Sequence, residues 1–231
     1  MGYTGLVRQG GPTDVRELPS ASIRKISVSE MDNAVYLLTC RATGEQLLID
    51  AADDAPRILA LAGEGASVQP RGTGEPVDLL HTIVTTHQHW DHHRALRQVA
   101  RETGARTAAG ELDADALPVA PDVRLRHGDR LRFGEVELDV IHLRGHTPGS
   151  VALAYRDPGA AVHLWTGDSL FPGGVGNTHQ DPELFRQLLD DVEGRVFDVY
   201  GDDTWVYPGH GGDTTLGAER PQLAQWRSRG W

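Results

Sequence analysis

One nine-residue stretch, TTHQHWDHH at positions 85–93, limits most strongly what this chain can fold into. It contains four histidines and an aspartate, and it directly follows the apolar run LLHTIV at positions 79–84. The apolar run predicts a buried strand, and the turn after such a strand presents its side chains at the edge of a sheet. Imidazole and carboxylate groups together suit zinc, iron or manganese. The stretch therefore predicts a metal site.

Strand and helix patterns alternate along the rest of the chain in two halves. Strands are predicted for SIRKISVS, NAVYLLTC and QLLID in the first half, and for SVALAY, VHLWTGD and TWVYP in the second, where RLRFGEVELDVIHL reads as a hairpin. Helices are predicted at about 53–62, 93–102 and 181–193, the last with an apolar face of Leu184, Leu188 and Val192, and a loop at 63–76. We expect one layered α/β domain spanning 1–231, with 1–20 as an extended N-terminal segment and 213–231 as a short C-terminal tail.

Composition excludes several classes of partner. The formal net charge is −11 and no run of Lys and Arg occurs, so nucleic acid is not expected to bind. No apolar run approaches the roughly 20 residues of a membrane helix, and the N-terminus lacks a secretory pattern, so we expect a cytoplasmic protein with no membrane association. Cys40 is the only cysteine, which rules out an intramolecular disulfide. The sequence leaves the oligomeric state open.

Three distant fragments carry residues that could complete a metal site. LRGHTPGS places His146 in a Gly/Pro loop between two predicted strands. LWTGDSLF and VYPGHGG place Asp168 and His210 just past apolar strands. Because sites at a sheet edge draw their residues from strand ends and tight turns, we expect these three side chains to join the histidine-rich turn.

The motif H-x-H-x-D-H at 87–92, followed by GHTPGS, TGDSLF and YPGHG, resembles the metallo-β-lactamase-fold superfamily over residues 22–212. Within it the chain is most similar to the glyoxalase II-like hydrolases. The resemblance implies an α/β fold, a four-layer αβ/βα sandwich with two metal ions in a cleft at the sheet edges. It also implies the metal ligands: one ion held by His87, His89 and His146, the other by Asp91, His92 and His210, with Asp168 between them.

The chemistry that this resemblance implies is hydrolysis without a protein nucleophile. Two cations lower the pKa of a shared water from about 15.7 toward neutrality, and Asp91 is expected to orient the hydroxide and carry its proton. We expect two zinc ions, with one iron, or mixed zinc, iron and manganese, as alternatives because the same ligands accept these metals. The sequence has no G-x-S-x-G motif that would indicate a serine nucleophile.

Departures from the family patterns reduce the number of reactions expected of this chain. Class-B1 β-lactamases have a cysteine where Asp168 stands, which disfavours β-lactam hydrolysis. Glyoxalase II enzymes usually have an arginine where Asn177 stands, together with a basic C-terminal segment that grips glutathione. Here only Arg220, Arg227 and Arg229 follow His210, so the carrier thiol stays open between glutathione and another small thiol such as mycothiol.

We therefore expect a small-molecule substrate and a thioesterase that cleaves an S-acyl thiol. The alternatives are a mono-iron persulfide dioxygenase, a family that shares the positions of His87, His146 and Asp168, and a lactonase or other esterase of the same fold. Trp90, Asn177 and His179 are candidate substrate-binding residues because they lie within or just after the ligand motifs. His93 directly follows the ligands and is a candidate partner for them.

Overall fold

The computed structural model of the protein describes residues 2–66, 79–159 and 161–230. Its strands are β1 (Asp14–Glu17), β2 (Ala21–Ser27), β3 (Ala34–Cys40), β4 (Gln46–Ile49), β5 (Leu80–Thr85), β6 (Arg106–Gly110), β7 (Val123–Leu125), β8 (Arg130–Phe133), β9 (Val136–His142), β10 (Val151–Arg156), β11 (Val162–Gly167), β12 (Leu170–Phe171), β13 (Gly174–Val175), β14 (Trp205–Pro208) and β15 (Thr214–Thr215). Its α-helices are α1 (Ala55–Gly65), α2 (Leu96–Thr103), α3 (Pro182–Val192), α4 (Leu216–Glu219) and α5 (Leu223–Arg229).

The strands form two large sheets. The first has the order β1-β2-β3-β4-β5-β6-β7, antiparallel from β1 to β4 and parallel from β4 to β7. The second has the order β15-β14-β11-β10-β9-β8, with β11 and β14 parallel and the other pairs antiparallel. Neighbouring parallel strands end at the same edge of their sheet, so the loops after β4, β5 and β6 lie side by side.

Apolar side chains alternate between two layers along the central strands. In β3, Tyr36 and Leu38 belong to the core between the two sheets, whereas Val35 and Leu37 face the other way, toward α1. This is the period-two pattern expected of a strand that is buried on both faces.

Helices cover both outer faces of the sheet pair. Ile58 of α1 and Leu96 of α2 pack on the first sheet, and Leu188 of α3 and Trp226 of α5 pack on the second. The result is a four-layer αβ/βα sandwich, which confirms the predicted fold class. Among the described residues, no helix has the length and hydrophobicity needed to span a bilayer.

The helices differ in detail from the sequence-based prediction. The helix α1 continues to Gly65, so the predicted loop at 63–76 begins later; its residues 67–76 lie outside the described part of the chain. In α3, Asp181 caps the first turn as predicted, but Leu184 is 38% exposed and the predicted apolar face was wrong there. Phe185 and Leu189 take that place beside Leu188, because the stripe 185, 188, 189, 192 also has helical spacing.

The two ends of the chain pack on the sandwich. The N-terminal segment, expected to be extended, includes β1, which pairs with β2. The C-terminal segment from 213 includes β15, α4 and α5, and Trp226 within it is buried against the second sheet.

Candidate metal centre

The seven expected ligands meet at one edge of the sandwich. They come from four loops: the turn after β5 carries His87, His89, Asp91 and His92; the β9–β10 loop carries His146; and β11 and β14 are followed by Asp168 and His210. Their donor atoms form three overlapping groups, each with its atoms within 4.8 Å of one another. Side chains up to 123 positions apart in sequence are thus brought into one cluster, since 210 − 87 = 123.

Three imidazoles form the first group. His87 Nε2 lies 3.1 Å from His89 Nδ1, which lies 2.9 Å from His146 Nε2, and the third side of this triangle is 3.3 Å. Three nitrogens bound tetrahedrally to one zinc at about 2.0–2.1 Å stand about 3.3 Å apart. The triangle therefore has nearly the size that one such ion requires.

A second group combines a carboxylate with two imidazoles. His92 Nε2 and His210 Nε2 are 3.1 Å apart, and Asp91 Oδ2 lies 3.5 Å and 3.3 Å from them, respectively. This donor set is harder and more negative than the three-histidine group, and it suits the same divalent metals.

Asp168 lies between the two groups. Its Oδ2 is 3.6 Å from His146 Nε2 and 3.5 Å from His210 Nε2, and its Oδ1 is 3.4 Å from His92 Nε2. Within the described residues, the buried Oδ1 makes no hydrogen bond. A buried carboxylate oxygen without a hydrogen-bond donor is costly, and a cation would satisfy it.

Glycine at position 209 keeps this space open. A Cβ there would lie 2.3 Å from Asp168 Oδ1 and 2.7 Å from His92 Cε1. Together with the donor chemistry and the unbonded oxygen, this close approach shows that the residues present fit two metal ions.

Carboxylate and hydroxyl groups orient two of the imidazoles by hydrogen bonds to Nδ1, the ring nitrogen that points away from the centre. Asp50 Oδ2 accepts hydrogen bonds from His92 Nδ1 at 2.9 Å and from Thr86 Oγ1 at 2.8 Å. Because Thr86 donates to Asp50, its oxygen accepts from His87 Nδ1, 3.1 Å away. Both rings thereby hold their protons on Nδ1 and turn Nε2 toward the centre.

Backbone carbonyls and a side-chain amide hold three more of the expected ligands. His146 Nδ1 donates to the Asn177 carbonyl at 2.7 Å, and His210 Nδ1 donates to the Met31 carbonyl at 2.7 Å. Asn33 Nδ2 donates to Asp91 Oδ2 at 2.9 Å.

The two groups differ in protonation. Burial lowers the pKa of His87 well below its usual range, and the nearby His92 adds to that shift. Burial also acts to lower the pKa of His92 and of His210, but the surrounding carboxylates outweigh it and raise both values to about 10. Burial acts to raise the pKa of Asp168, but His210 and His92 outweigh it and hold that pKa well below its usual range. Metal binding at the second group must therefore displace protons, which makes it favourable at higher pH.

The candidate substrate residues lie around this cluster. Trp90 is 58% exposed and projects from the ligand turn, with the Arg94 guanidinium 4.3 Å from its ring centre. His179 is exposed in a left-handed conformation (φ 55°), and its ring centre lies 6.3 Å from that of His89. The Asn177 side chain accepts a hydrogen bond from the His179 amide at 2.8 Å.

A cavity of about 640 Å³ adjoins the cluster at Asn177. It is lined by residues 175–178 and Gln180, and by Arg229 and Gly230 at the end of α5. Arg220, which contacts Asp202, and Arg227, which contacts Asp190 and Glu193, do not line this cavity.

The sequence-based prediction missed several supporting residues. Asp50 directly follows an apolar strand, as Asp168 does, and this position in the sequence could have indicated a role at the site. Asn33, which pairs with His210 in an isolated β-bridge, follows no such pattern. His93 donates from Nε2 to the Gln88 carbonyl at 3.1 Å, so it holds the ligand turn rather than a ligand.

A family model described as the metallo-beta-lactamase superfamily matches residues 30–211. The chain belongs to this superfamily. It is 38% identical over 145 residues to a hydroxyacylglutathione hydrolase of Fuscovulum blasticum, covering 63% of this chain and 51% of the relative. A second one, from Cereibacter sphaeroides, is 32% identical over 180 residues, covering 78% and 62%. The chain thus spans between half and two thirds of the length of these two relatives.

Solved structures of the superfamily have the same fold. A metallo-beta-lactamase from Staphylococcus aureus superposes with a TM-score of 0.74 at 23% identity, over 93% of this chain and 67% of that one. ETHE1 from Myxococcus xanthus gives 0.71 at 26% identity, over 89% and 84%. TTHA1623, in a di-iron-bound form, gives 0.65 at 30% identity, over 85% and 96%. The family and the donor groups together indicate that this protein binds two metal ions.

Proposed function

We propose that the protein is a binuclear metal-dependent hydrolase that cleaves the thioester of an S-acyl small thiol. The observation that carries this proposal is Asp168, whose carboxylate lies within 3.6 Å of histidines from both donor groups. The names of the relatives, hydroxyacylglutathione hydrolase, support a thioester as substrate. A single ion at His87, His146 and Asp168 would leave the second donor group of Asp91, His92 and His210 unused, which favours two ions over the mono-iron dioxygenase.

The metal ligands in this proposal are the seven residues of the cluster. His87, His89 and His146 would hold one ion, Asp91, His92 and His210 the other, and Asp168 both. Bound there, the ions supply a water of lowered pKa and a Lewis acid for the substrate carbonyl. We propose zinc, and the donor set also accepts iron, the metal named for TTHA1623.

The protein's own groups position the reactants. Burial acts to raise the pKa of Asp91, but hydrogen bonds involving His210 and Asn33 outweigh it and hold that pKa far below its usual range. The Asp91 carboxylate therefore stays ionised and can accept a hydrogen bond from an attacking water, orienting its lone pair toward the carbonyl. Asn177 lines the cavity, where the thiol part of the substrate would lie. His179, whose ring lies 6.3 Å from that of His89, and exposed Trp90 would contact the acyl part.

Metal analysis and a substrate panel test this proposal. Protein purified without chelator or added metal should contain about two metal ions per chain, and it should hydrolyse S-acyl thiols faster than lactones or β-lactams. A preference for lactones would refute the thioesterase. One iron per chain with oxygen uptake would favour the dioxygenase instead.

Substitution of Asp168 tests the ligand assignment. In Asp168→Asn, metal content and hydrolysis should both collapse. Asp181→Asn is the matched control, because asparagine can still cap α3 and the residue lies outside the cluster. Full metal content in Asp168→Asn would refute the assignment.

A further inference from the structure

Asp113 is a fully buried aspartate with three hydrogen-bond donors. It lies in the turn after β6, and its Oδ2 accepts from the Gln88 backbone amide at 2.9 Å and from Thr147 Oγ1 at 2.6 Å. Its Oδ1 accepts from the Gly149 backbone amide at 2.7 Å. Three donors satisfy a buried carboxylate well, which makes this arrangement rigid.

The three donors belong to the two loops that carry the three-histidine group. Gln88 stands between His87 and His89 in the turn after β5 of the first sheet. Thr147 directly follows His146 in the β9–β10 loop of the second sheet. One side chain therefore joins the ligand loops of both sheets.

The same region is packed too closely for any other side chain at Gly149. A Cβ at Gly149 would lie 2.3 Å from the Asp113 backbone nitrogen. Close by, the Val151 amide donates to the Thr86 carbonyl at 2.9 Å, which is a further link between the two sheets. The loops are thus held by close backbone contact as well as by the carboxylate.

We propose that Asp113 is a positioning residue that fixes the distance between the His87–His89 turn and the His146 loop, and with it the size of the three-nitrogen triangle. It acts through backbone amides and Thr147, without touching an imidazole. This inference rests on the metal-ligand role of those histidines in the proposed function. It does not depend on which substrate the enzyme takes.

The substitution Asp113→Asn tests the proposal with little change of shape. The amide retains one acceptor oxygen, so either the Gly149 amide or the pair formed by the Gln88 amide and the Thr147 hydroxyl loses its acceptor, and the link that this side chain makes between the two loops is weakened. We expect zinc affinity, measured by competition with a chromophoric chelator, to fall by about 10-fold. Loss of a direct hydrogen-bond partner of a metal ligand lowers metal affinity by about 10- to 100-fold, and Asp113 acts only through the ligand loops. The visible absorption of the Co²⁺-substituted protein should change in the same variant.

Asp122→Asn is the matched control. Asp122 also accepts from a backbone amide and a threonine hydroxyl, both of Thr107 in β6, at 2.8 Å and 3.1 Å, but it contacts neither ligand loop. Its zinc affinity and Co²⁺ spectrum should match those of the unsubstituted protein. If Asp113→Asn also matches it, the proposal is refuted.

Amide hydrogen exchange on chelator-treated protein gives a readout without metal. The Gln88 and Gly149 amides should exchange faster in Asp113→Asn than in Asp122→Asn. Equal exchange rates in the two variants would refute the positioning role of Asp113. Should Asp113→Asn fail to fold, Thr147→Val removes a single donor, and the same loss of affinity and change of Co²⁺ spectrum, in smaller measure, are expected. An unsubstituted protein that binds no metal would refute the proposed function. The exchange experiment would still test whether Asp113 holds the two loops together.

Discussion

Asp50 Oδ2 lies 2.9 Å from His92 Nδ1 and 2.8 Å from Thr86 Oγ1, and through Thr86 it also orients His87. One buried carboxylate thus sets the ring orientation of a histidine in each donor group. Its backbone has a left-handed conformation (φ 59°), which a residue other than glycine adopts only when its surroundings stabilise it. The strain at Asp50 is consistent with a residue held in position for the site.

Asp50→Asn should weaken metal binding. Asparagine keeps the shape, but it removes the charge and one of the acceptor oxygens, so neither His92 nor Thr86 keeps a negatively charged partner and some of the donors around this side chain lose their acceptor. We expect metal affinity to fall by about 10- to 100-fold, measured by chelator competition. Asp53→Asn, at a partly exposed residue paired with Arg94, is the control. Equal affinities in the two variants would contradict this role for Asp50.

Lys25→Met should destabilise the fold. The buried Lys25 Nζ donates to the carbonyls of Gly5 and Gly211 at 2.8 Å and 2.7 Å and to Asp213 Oδ1 at 2.6 Å. Removing this cation leaves the buried Asp213 carboxylate with the Tyr3 hydroxyl but without its positively charged partner, at a cost of about 3–5 kcal/mol. Denaturant unfolding of chelator-treated protein measures the loss of stability.

The double variant Lys25→Met, Asp213→Asn separates the ion pair from packing. Because asparagine carries no charge to leave unpaired, the double variant should be more stable than Lys25→Met alone. A double variant less stable than the single one would show that the lost packing, and not the unpaired carboxylate, dominates.

His163 should make stability depend on pH. Arg16 donates to the Tyr207 hydroxyl at 3.0 Å, so that hydroxyl donates its own proton to His163 Nδ1 at 2.8 Å. Burial and Arg16 lower the pKa of His163 from 6.5 to about 4. Between these two values the unfolded chain binds a proton that the folded chain does not. The folded state therefore loses stability as pH falls from about 6.5 to about 4, by about 3 kcal/mol at most.

His163→Asn isolates this contribution. Its amide oxygen can accept from the Tyr207 hydroxyl, and the amide does not titrate. The free energy of unfolding should fall less steeply between pH 7.5 and pH 4.5 in the variant than in the unsubstituted protein. Parallel pH dependence in the two proteins would exclude His163 as the cause.

The sequence predicted those features of the site that are local along the chain. The residues of H-x-H-x-D-H are nearly adjacent, and Asp168 and His210 each follow an apolar strand, so position alone indicated them. The role of Asp113 depends on segments 25 and 36 positions away meeting in space, which no local pattern encodes. Leu184 shows the same limit in the fold, because two helical stripes were possible and the docking of α3 selected the other one.

Arg229 should select substrates whose thiol carries a carboxylate. It lines the cavity beside the cluster, and a guanidinium there can pair with a carboxylate. In Arg229→Gln, KM for such thioesters should rise about 10-fold with kcat unchanged, whereas KM for an uncharged thioester should stay the same. Arg227→Gln is the control, because Arg227 lies on the same helix but does not line the cavity. An equal rise in KM for charged and uncharged thioesters would mean that Arg229 shapes the cavity without recognising charge.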